Sequence, residues 1–241
     1  MTVDRWAQWV RQQVGLGRLL PLGGPRDGAW ITEAAAGAVL RRAVADGAPG
    51  VRLGVLRIAL ADPRDVTEPV VPAPPSALPP GPLRVTADFA ATAAEPLPTS
   101  ASRLRRALAG AATERLGLAV TEIDLRATDL LEPDAPAAPA TGTPQPPSAH
   151  EPTDTDGTTV AEAALAVPGV LRLTGVLGGL GRAVHIEEHA DEATLPRRHV
   201  RVELTTDASR RTVDVARQVR AAVRDALADR PTVAVLVTAV D

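Results

Sequence analysis

Four apolar residues at four-residue spacing, Leu104, Leu108, Ala112 and Leu116, recur 111 positions later as Val215, Val219, Val223 and Leu227. That spacing lays one apolar stripe along a helix and leaves the intervening arginines on the wet side. Two further segments repeat in the same order. "PLRVTADFA" alternates Leu83, Val85, Ala87 and Phe89, and "HVRVELTTD" alternates Val200, Val202, Leu204 and Thr206, 117 positions on. Ile123, Leu125 and Ala127 are matched by Val235, Val237 and Ala239, 112 positions on. Period two predicts strands with one buried face. Three matches in order, with the offset changing only between them, predict a tandem repeat.

Each copy opens with a helix. "ITEAAAGAVLRRAVADG" (31–47) has Thr32 placed as an N-cap, and Thr159 with Glu162 has the spacing of a Thr-x-x-Glu capping box. Each helix runs out at the same phrase, Pro49-Gly50-Val51 and Pro168-Gly169-Val170. Proline cannot continue a helix, glycine takes the positive φ that a chain reversal requires, and valine starts a strand. The predicted fold class is α+β: a tandem repeat of a small helix-strand-strand-helix-strand module, each a three-stranded sheet covered by two helices. Such a sheet has edges, and an unpaired edge offers hydrogen-bonding groups to a neighbour.

The predicted organisation is an N-terminal amphipathic segment (1–29), a first module (30–131) carrying a proline-rich insertion (61–82), a disordered proline-rich linker (132–157) and a second module (158–241). Both proline-rich runs lack a hydrophobic period, and their prolines remove backbone donors, so both read as extended, solvated connectors. In the first segment Trp6, Trp9, Val10 and Val14 fall on one helical face with Arg5, Arg11 and Arg18 nearby. This is the candidate interaction face, suited to docking on the first module, to a partner, or to a lipid surface.

These motifs resemble the alkaline-shock and general-stress protein family of bacteria. Ile31-Thr32-Glu33 matches the family's Ile-Ser/Thr-acidic opening, and the two Pro-Gly-Val phrases match its turn. Val213 to Leu227 looks like its second helix. Val120, Ile123, Leu125 and Ala127, and again Val235 and Val237, look like its last strand. The resemblance spans roughly 31–131 and 158–241. The chain departs from the family in carrying two copies, in the insertion within the first, and in a truncated opening helix in the second. The resemblance implies a non-enzymatic protein that associates with itself or with related family members. It also implies placement at the cytoplasmic face of the membrane through a membrane-anchored protein partner, in cell-envelope stress homeostasis. The family has no catalytic residues to carry over.

The remaining stretches are weighed for chemistry. There is no cysteine, which excludes disulfides and thiolate metal sites. A net charge of −3 gives no general pull toward nucleic acid. No apolar run reaches the roughly 18 residues of a membrane span, and "MTVDRWAQWVRQQVG" lacks the apolar core of a secretory signal. A cytoplasmic protein, peripheral at the inner face of the cell membrane, is the expectation. "HIEEHADE" (185–192) clusters histidines with carboxylates, but in a strand it sets His185 and His189 about 13 Å apart. A polar strand end is predicted, which His199 joins only if the neighbouring strand faces it. "TGVLGGLGR" (174–182) has glycines spaced like a phosphate loop, yet it leads into a strand rather than a helix N-terminus. It reads as a flexible strand-to-strand loop.

Arginines cluster at Arg103/Arg105/Arg106, Arg197/Arg198 and Arg210/Arg211. They support the alternative reading, a nucleic-acid-associated regulator. Neighbouring acids offset them, and no aromatic residue is placed to stack a base, so a solvated charged face is predicted. An enzyme would need a pocket at the module junction lined by the His185–Glu188 segment. No catalytic residue, cofactor, metal, nucleic acid or small-molecule substrate is expected.

Overall fold

In the computed structural model the described residues are 17–132, 145–177, 181–189 and 197–241. They form an α+β fold of four helices and two mixed sheets, one of six strands and one of three. In chain order the elements are β1 (Leu19–Pro21), β2 (Ala29–Thr32), α1 (Glu33–Gly47), β3 (Val51–Leu60), β4 (Leu83–Thr92) and α2 (Leu97–Gly110). A π-helical turn, Ala111–Leu116, extends α2, and β5 (Val120–Leu131) follows. Then come α3 (Thr155–Leu165), β6 (Val170–Leu173), β7 (Val184–His189), β8 (Arg197–Thr206), α4 (Thr212–Ala226) and β9 (Thr232–Val240).

Thr32 opens α1 as its sequence position suggests. Its backbone is extended, and its hydroxyl oxygen accepts a hydrogen bond from the Ala35 amide at 3.2 Å. The second helix start differs from expectation. α3 begins at Thr155, and Asp154 is its cap, its carboxylate accepting from the Gly157 amide at 2.7 Å. Thr159 is already inside the helix and donates to the Thr155 carbonyl at 3.0 Å. A carboxylate satisfies an orphan amide and also complements the positive end of the helix dipole, so Asp154 takes the cap earlier in the chain. Both helices end at the Pro-Gly-Val phrase. Gly50 has φ of 74° and Gly169 of 102°, and Val51 and Val170 are the first residues of β3 and β6.

In the three-stranded sheet β4 is central, antiparallel to β3 and parallel to β5. In the larger sheet β8 is parallel to β9 and antiparallel to both β6 and β7. β6 pairs along the end of β8 (Leu204–Thr206) and β7 along its beginning (Arg197–Val202), so the two lie end to end on one edge of β8. Three strands were expected here; six are present. The surplus arises because the glycine-rich loop divides one strand into β6 and β7, and because β2 pairs in parallel with β9, bringing β1 with it. β1 and Ala29 fall within the segment 1–29.

One apolar core joins both sheets and all four helices. Both sequence stripes, Leu104 to Leu116 and Val215 to Leu227, are buried in it. So are Val85 and Phe89 of β4, Val202 of β8 and Val235 of β9. A fully buried aliphatic side chain contributes about 1.5–3 kcal/mol, so shared burial on this scale ties the two halves together.

β8 and β9 depart from the one-faced strands expected. Glu203, Thr205, Ala234 and Leu236, on the face away from the helices, are buried as well. Part of the cover is the insertion 61–82, which is exposed along much of its length but buries Val71, Pro74 and Pro80. Val71 packs with Leu19, Trp30, Ala234 and Leu236. The insertion is anchored by hydrogen bonds from Leu78 N to the Leu19 carbonyl (2.8 Å) and from Val70 N to the Pro25 carbonyl (3.0 Å), and is closed on itself by Thr67 N donating to the Pro80 carbonyl (2.8 Å). Its prolines bar a regular ladder, but the residues between them still donate. In the 132–157 stretch, Ser148 bridges to Thr174 and His150 to Arg182. Residues 133–144 lie outside the described residues.

Candidate functional site

The ladder between β7 and β8 places His185 opposite Arg201 and Glu187 opposite His199. His199 therefore does join the polar strand, because the neighbouring strand is the one carrying "HIEEH". These four side chains and Glu203 share the face of the sheet turned away from the helices. The His199 ring meets the Thr232 hydroxyl at 2.8 Å, and Arg201 lies 3.8 Å from Glu187. Glu203 is fully buried. Its carboxylate accepts hydrogen bonds from the amides of Val176 (2.8 Å) and Leu177 (2.9 Å), two consecutive donors of the glycine-rich loop. That loop runs into β7, and its paired amides are occupied by the protein's own carboxyl group. Consecutive amides of this kind are what a phosphate would otherwise receive.

Burial, reinforced by the charge of Arg201, lowers the pKa of His185 below the usual imidazole value; the Arg182 carbonyl and Glu187 oppose it without prevailing. A neutral ring donates from Nε2 to the Arg182 carbonyl at 3.1 Å. The same nitrogen lies 3.8 Å from the Glu203 carboxyl group. Beside this strand lies an open cleft of about 620 Å³, lined among others by His150, Glu151, Asp156, Arg182, His185 and Glu188. It sits between the lead-in to α3 and β7, both in the second half of the chain, and not at the junction of the halves. Asp154 is committed to its helix cap, and Asp156 is held by Arg198 at 2.5 Å. Among the described residues no group of three or more His, Asp or Glu is arranged to hold a metal ion.

Four arginines of these clusters are engaged within the fold. Arg103 forks onto Glu95 and reaches the Pro49 carbonyl at 3.0 Å. Arg198 joins Asp156 to Asp229, and Arg211 donates to the Thr113 carbonyl at 3.1 Å. Arg105 donates to the Ile123 carbonyl at 3.4 Å.

Sheet edges are the other candidate. On β3, the outer edge is blocked at Ile58, whose amide donates to Glu33 (3.0 Å) and whose carbonyl accepts from Arg18 (2.8 Å). On β9, the edge away from β8 is filled by β2, with the Val235 amide donating to the Gly28 carbonyl at 3.0 Å. The matching edge of β5, away from β4, carries no strand among the described residues. Arg105 meets it at Ile123, the residue that corresponds to Val235 at the sequence offset of 112. Most of β5 is exposed, and Leu130 is 61% exposed.

Compared with known proteins, the chain matches no family model, and no curated protein matches it. Trp6, Trp9, Val10 and Val14, the interaction face expected from the sequence, lie outside the described residues. No helix among the described residues is long and apolar enough to cross a membrane. The blocked edge of β3 and the filled edge of β9 were not visible in the sequence. Arg18, Glu33 and Gly28 act there through single contacts that leave no periodic signal.

Proposed function

We propose that this chain is a non-enzymatic association protein, a tandem repeat whose two halves have diverged in the use of their last strand. The shared connectivity supports the repeat: in each half a first strand pairs antiparallel with a second, a helix follows, and the last strand returns parallel to the second. One observation carries the function. The outer edge of β9 is occupied by β2, while the equivalent edge of the twelve-residue β5 carries no strand among the described residues and meets Arg105 at Ile123. An open edge of that length is a template for strand addition. The resemblance to the alkaline-shock family, carried by the residues quoted above, extends the reading to a scaffold in cell-envelope homeostasis, held at the inner face of the membrane by an anchored partner.

The test is association of the purified chain, measured by sedimentation velocity over a wide concentration range, against the variant Ala127→Pro. Proline removes one backbone donor and is tolerated on an edge whose N–H points outward. Concentration-dependent association of the wild type, lost in the variant with circular dichroism unchanged, is the expected result. A wild type that stays monomeric and retains no protein from a membrane fraction sinks the proposal.

A further inference from the structure

We infer that the occupant of the open β5 edge is the β5 strand of a second copy, paired antiparallel about a two-fold axis at Leu125; this rests on the association reading above. The backbone supplies the first argument. Arg105 reaches the Ile123 carbonyl, and the equivalent Val235 donates its amide away from β8, so the groups of Ile123, and by alternation Leu125 and Ala127, face the open side. An isologous pairing requires residues with outward-facing groups to meet each other. With Leu125 on the axis, Leu125 meets Leu125 and Ile123 meets Ala127, the Ala127 amide of the second copy replacing Arg105 at the Ile123 carbonyl.

Charge fixes the register. About this axis Asp124 stands opposite Arg126 of the second copy, and the pair occurs twice. Asp124 is well exposed and 3.5 Å from Arg84, while Arg126 forms no ion pair among the described residues. Moving the axis by one residue sets Asp124 against Asp124, or Arg126 against Arg126. Either would place like charges in direct cross-strand contact, which is unfavourable. The irregularities of β5 agree with the same register. Its ladder with β4 skips Thr121 and Thr128, on either side of Leu125. The two extra residues therefore offset each other across the axis, and the exposed Leu130 comes down beside Val120 of the second copy. The product is one continuous six-stranded sheet made from two three-stranded ones.

The decisive experiment is a charge exchange on the full chain, read by sedimentation velocity and by light scattering across the micromolar to millimolar range. Asp124→Arg and Arg126→Asp each put like charges at both cross-axis contacts, and each weakens self-association by about tenfold or more. An equimolar mixture of the two variants restores association as a heterodimer, and the double variant D124R/R126D restores the homodimer. Both positions are exposed, and circular dichroism checks that each variant is folded. Single variants that associate as tightly as the wild type, or a mixture that fails to associate, overturn the β5 pairing while leaving association through another surface standing. A wild type that is monomeric throughout overturns both.

Discussion

The indole N–H of Trp30 donates to the carbonyl of Leu78 at 3.3 Å, fastening a proline-rich segment against a sheet that includes β9, the last strand of the chain. Trp30 lies on β2 and is almost completely buried against Leu19, Val71, Ala234 and Leu236. Trp30→Ala is expected to cost about 3–5 kcal/mol, from lost transfer free energy and the cavity left behind. Trp30→Phe keeps an apolar ring and loses the hydrogen bond and part of the volume, for a smaller cost of about 1–2 kcal/mol. Urea denaturation followed by far-ultraviolet circular dichroism measures both. A loss below about 1 kcal/mol for the alanine variant would mean that the insertion is not the cover of this face.

What the sequence made legible was whatever it encodes by period. The stripes on α2 and α4, the alternation of β4, the Thr32 cap and the two glycine turns follow from side-chain spacing within one element. The second buried face of β8 did not. His199, Arg201, Glu203 and Thr205 alternate with Val200, Val202 and Leu204 and read as a wet face, because what lies over it comes from distant parts of the chain: residues 72–75 beside His199 and Arg201, and the Val176–Leu177 loop over Glu203. One signal was available: "TVAVLVTAV" in β9 is apolar almost without interruption, which is the pattern of a strand covered on both sides. A strand next to it inherits the same cover. The open edge of β5 was unreadable for a different reason, since an edge is defined by what other parts of the chain fail to reach.

Glu203 is the residue through which the glycine-rich loop is held, so its removal has a local signature. Glu203→Ala leaves the amides of Val176 and Leu177 without this acceptor, at a cost of about 1–3 kcal/mol for buried donors left unsatisfied. Hydrogen exchange at 174–177 should accelerate well beyond the change in the helices. Glu203→Gln, which keeps one acceptor oxygen, should fall between. Unchanged exchange in this loop would remove Glu203 as its anchor.

The two Pro-Gly-Val turns should respond unequally to the same substitution. Both glycines sit at positive φ, where a side chain costs of order 1–3 kcal/mol. A Cβ on Gly50 would meet the Thr92 hydroxyl at 2.9 Å, beside a half-buried side chain. A Cβ on Gly169 would meet the Arg210 chain at 2.6 Å and Val215 at 2.9 Å. Val215 is packed in the core and cannot swing aside, so Gly169→Ala should lower the unfolding midpoint more than Gly50→Ala. Equal midpoints would show that the core beside α4 yields more readily than its burial suggests.

Asp27 links the N-terminal strands to α4, and its effect should depend on pH. Its carboxylate is gripped by the Arg217 guanidinium at 2.8 and 3.0 Å and accepts the Gly24 amide at 2.7 Å. Burial alone would raise its pKa; the hydrogen bonds from Arg217 and Gly24 and the charges of Arg217 and Arg220 outweigh it and hold the carboxyl below its ordinary value of 3.8. A carboxyl depressed in the folded state adds stability that is complete above the unfolded pKa and is lost as pH falls through the folded one. Asp27→Asn should therefore be less stable than the wild type at pH 7, by about 0.5–1 kcal/mol given the exposure of Arg217. The difference should persist at pH 5 and shrink once the pH drops below about 4, where the free carboxyl titrates. Arg217 and Arg220 keep their charge throughout, and Asp214, which also pairs with Arg217 at 2.9 Å, is present in both proteins, so the comparison isolates Asp27. A gap between the two proteins that stays constant down to pH 2 would place the contribution of Asp27 in its shape and hydrogen bonding, and not in its charge.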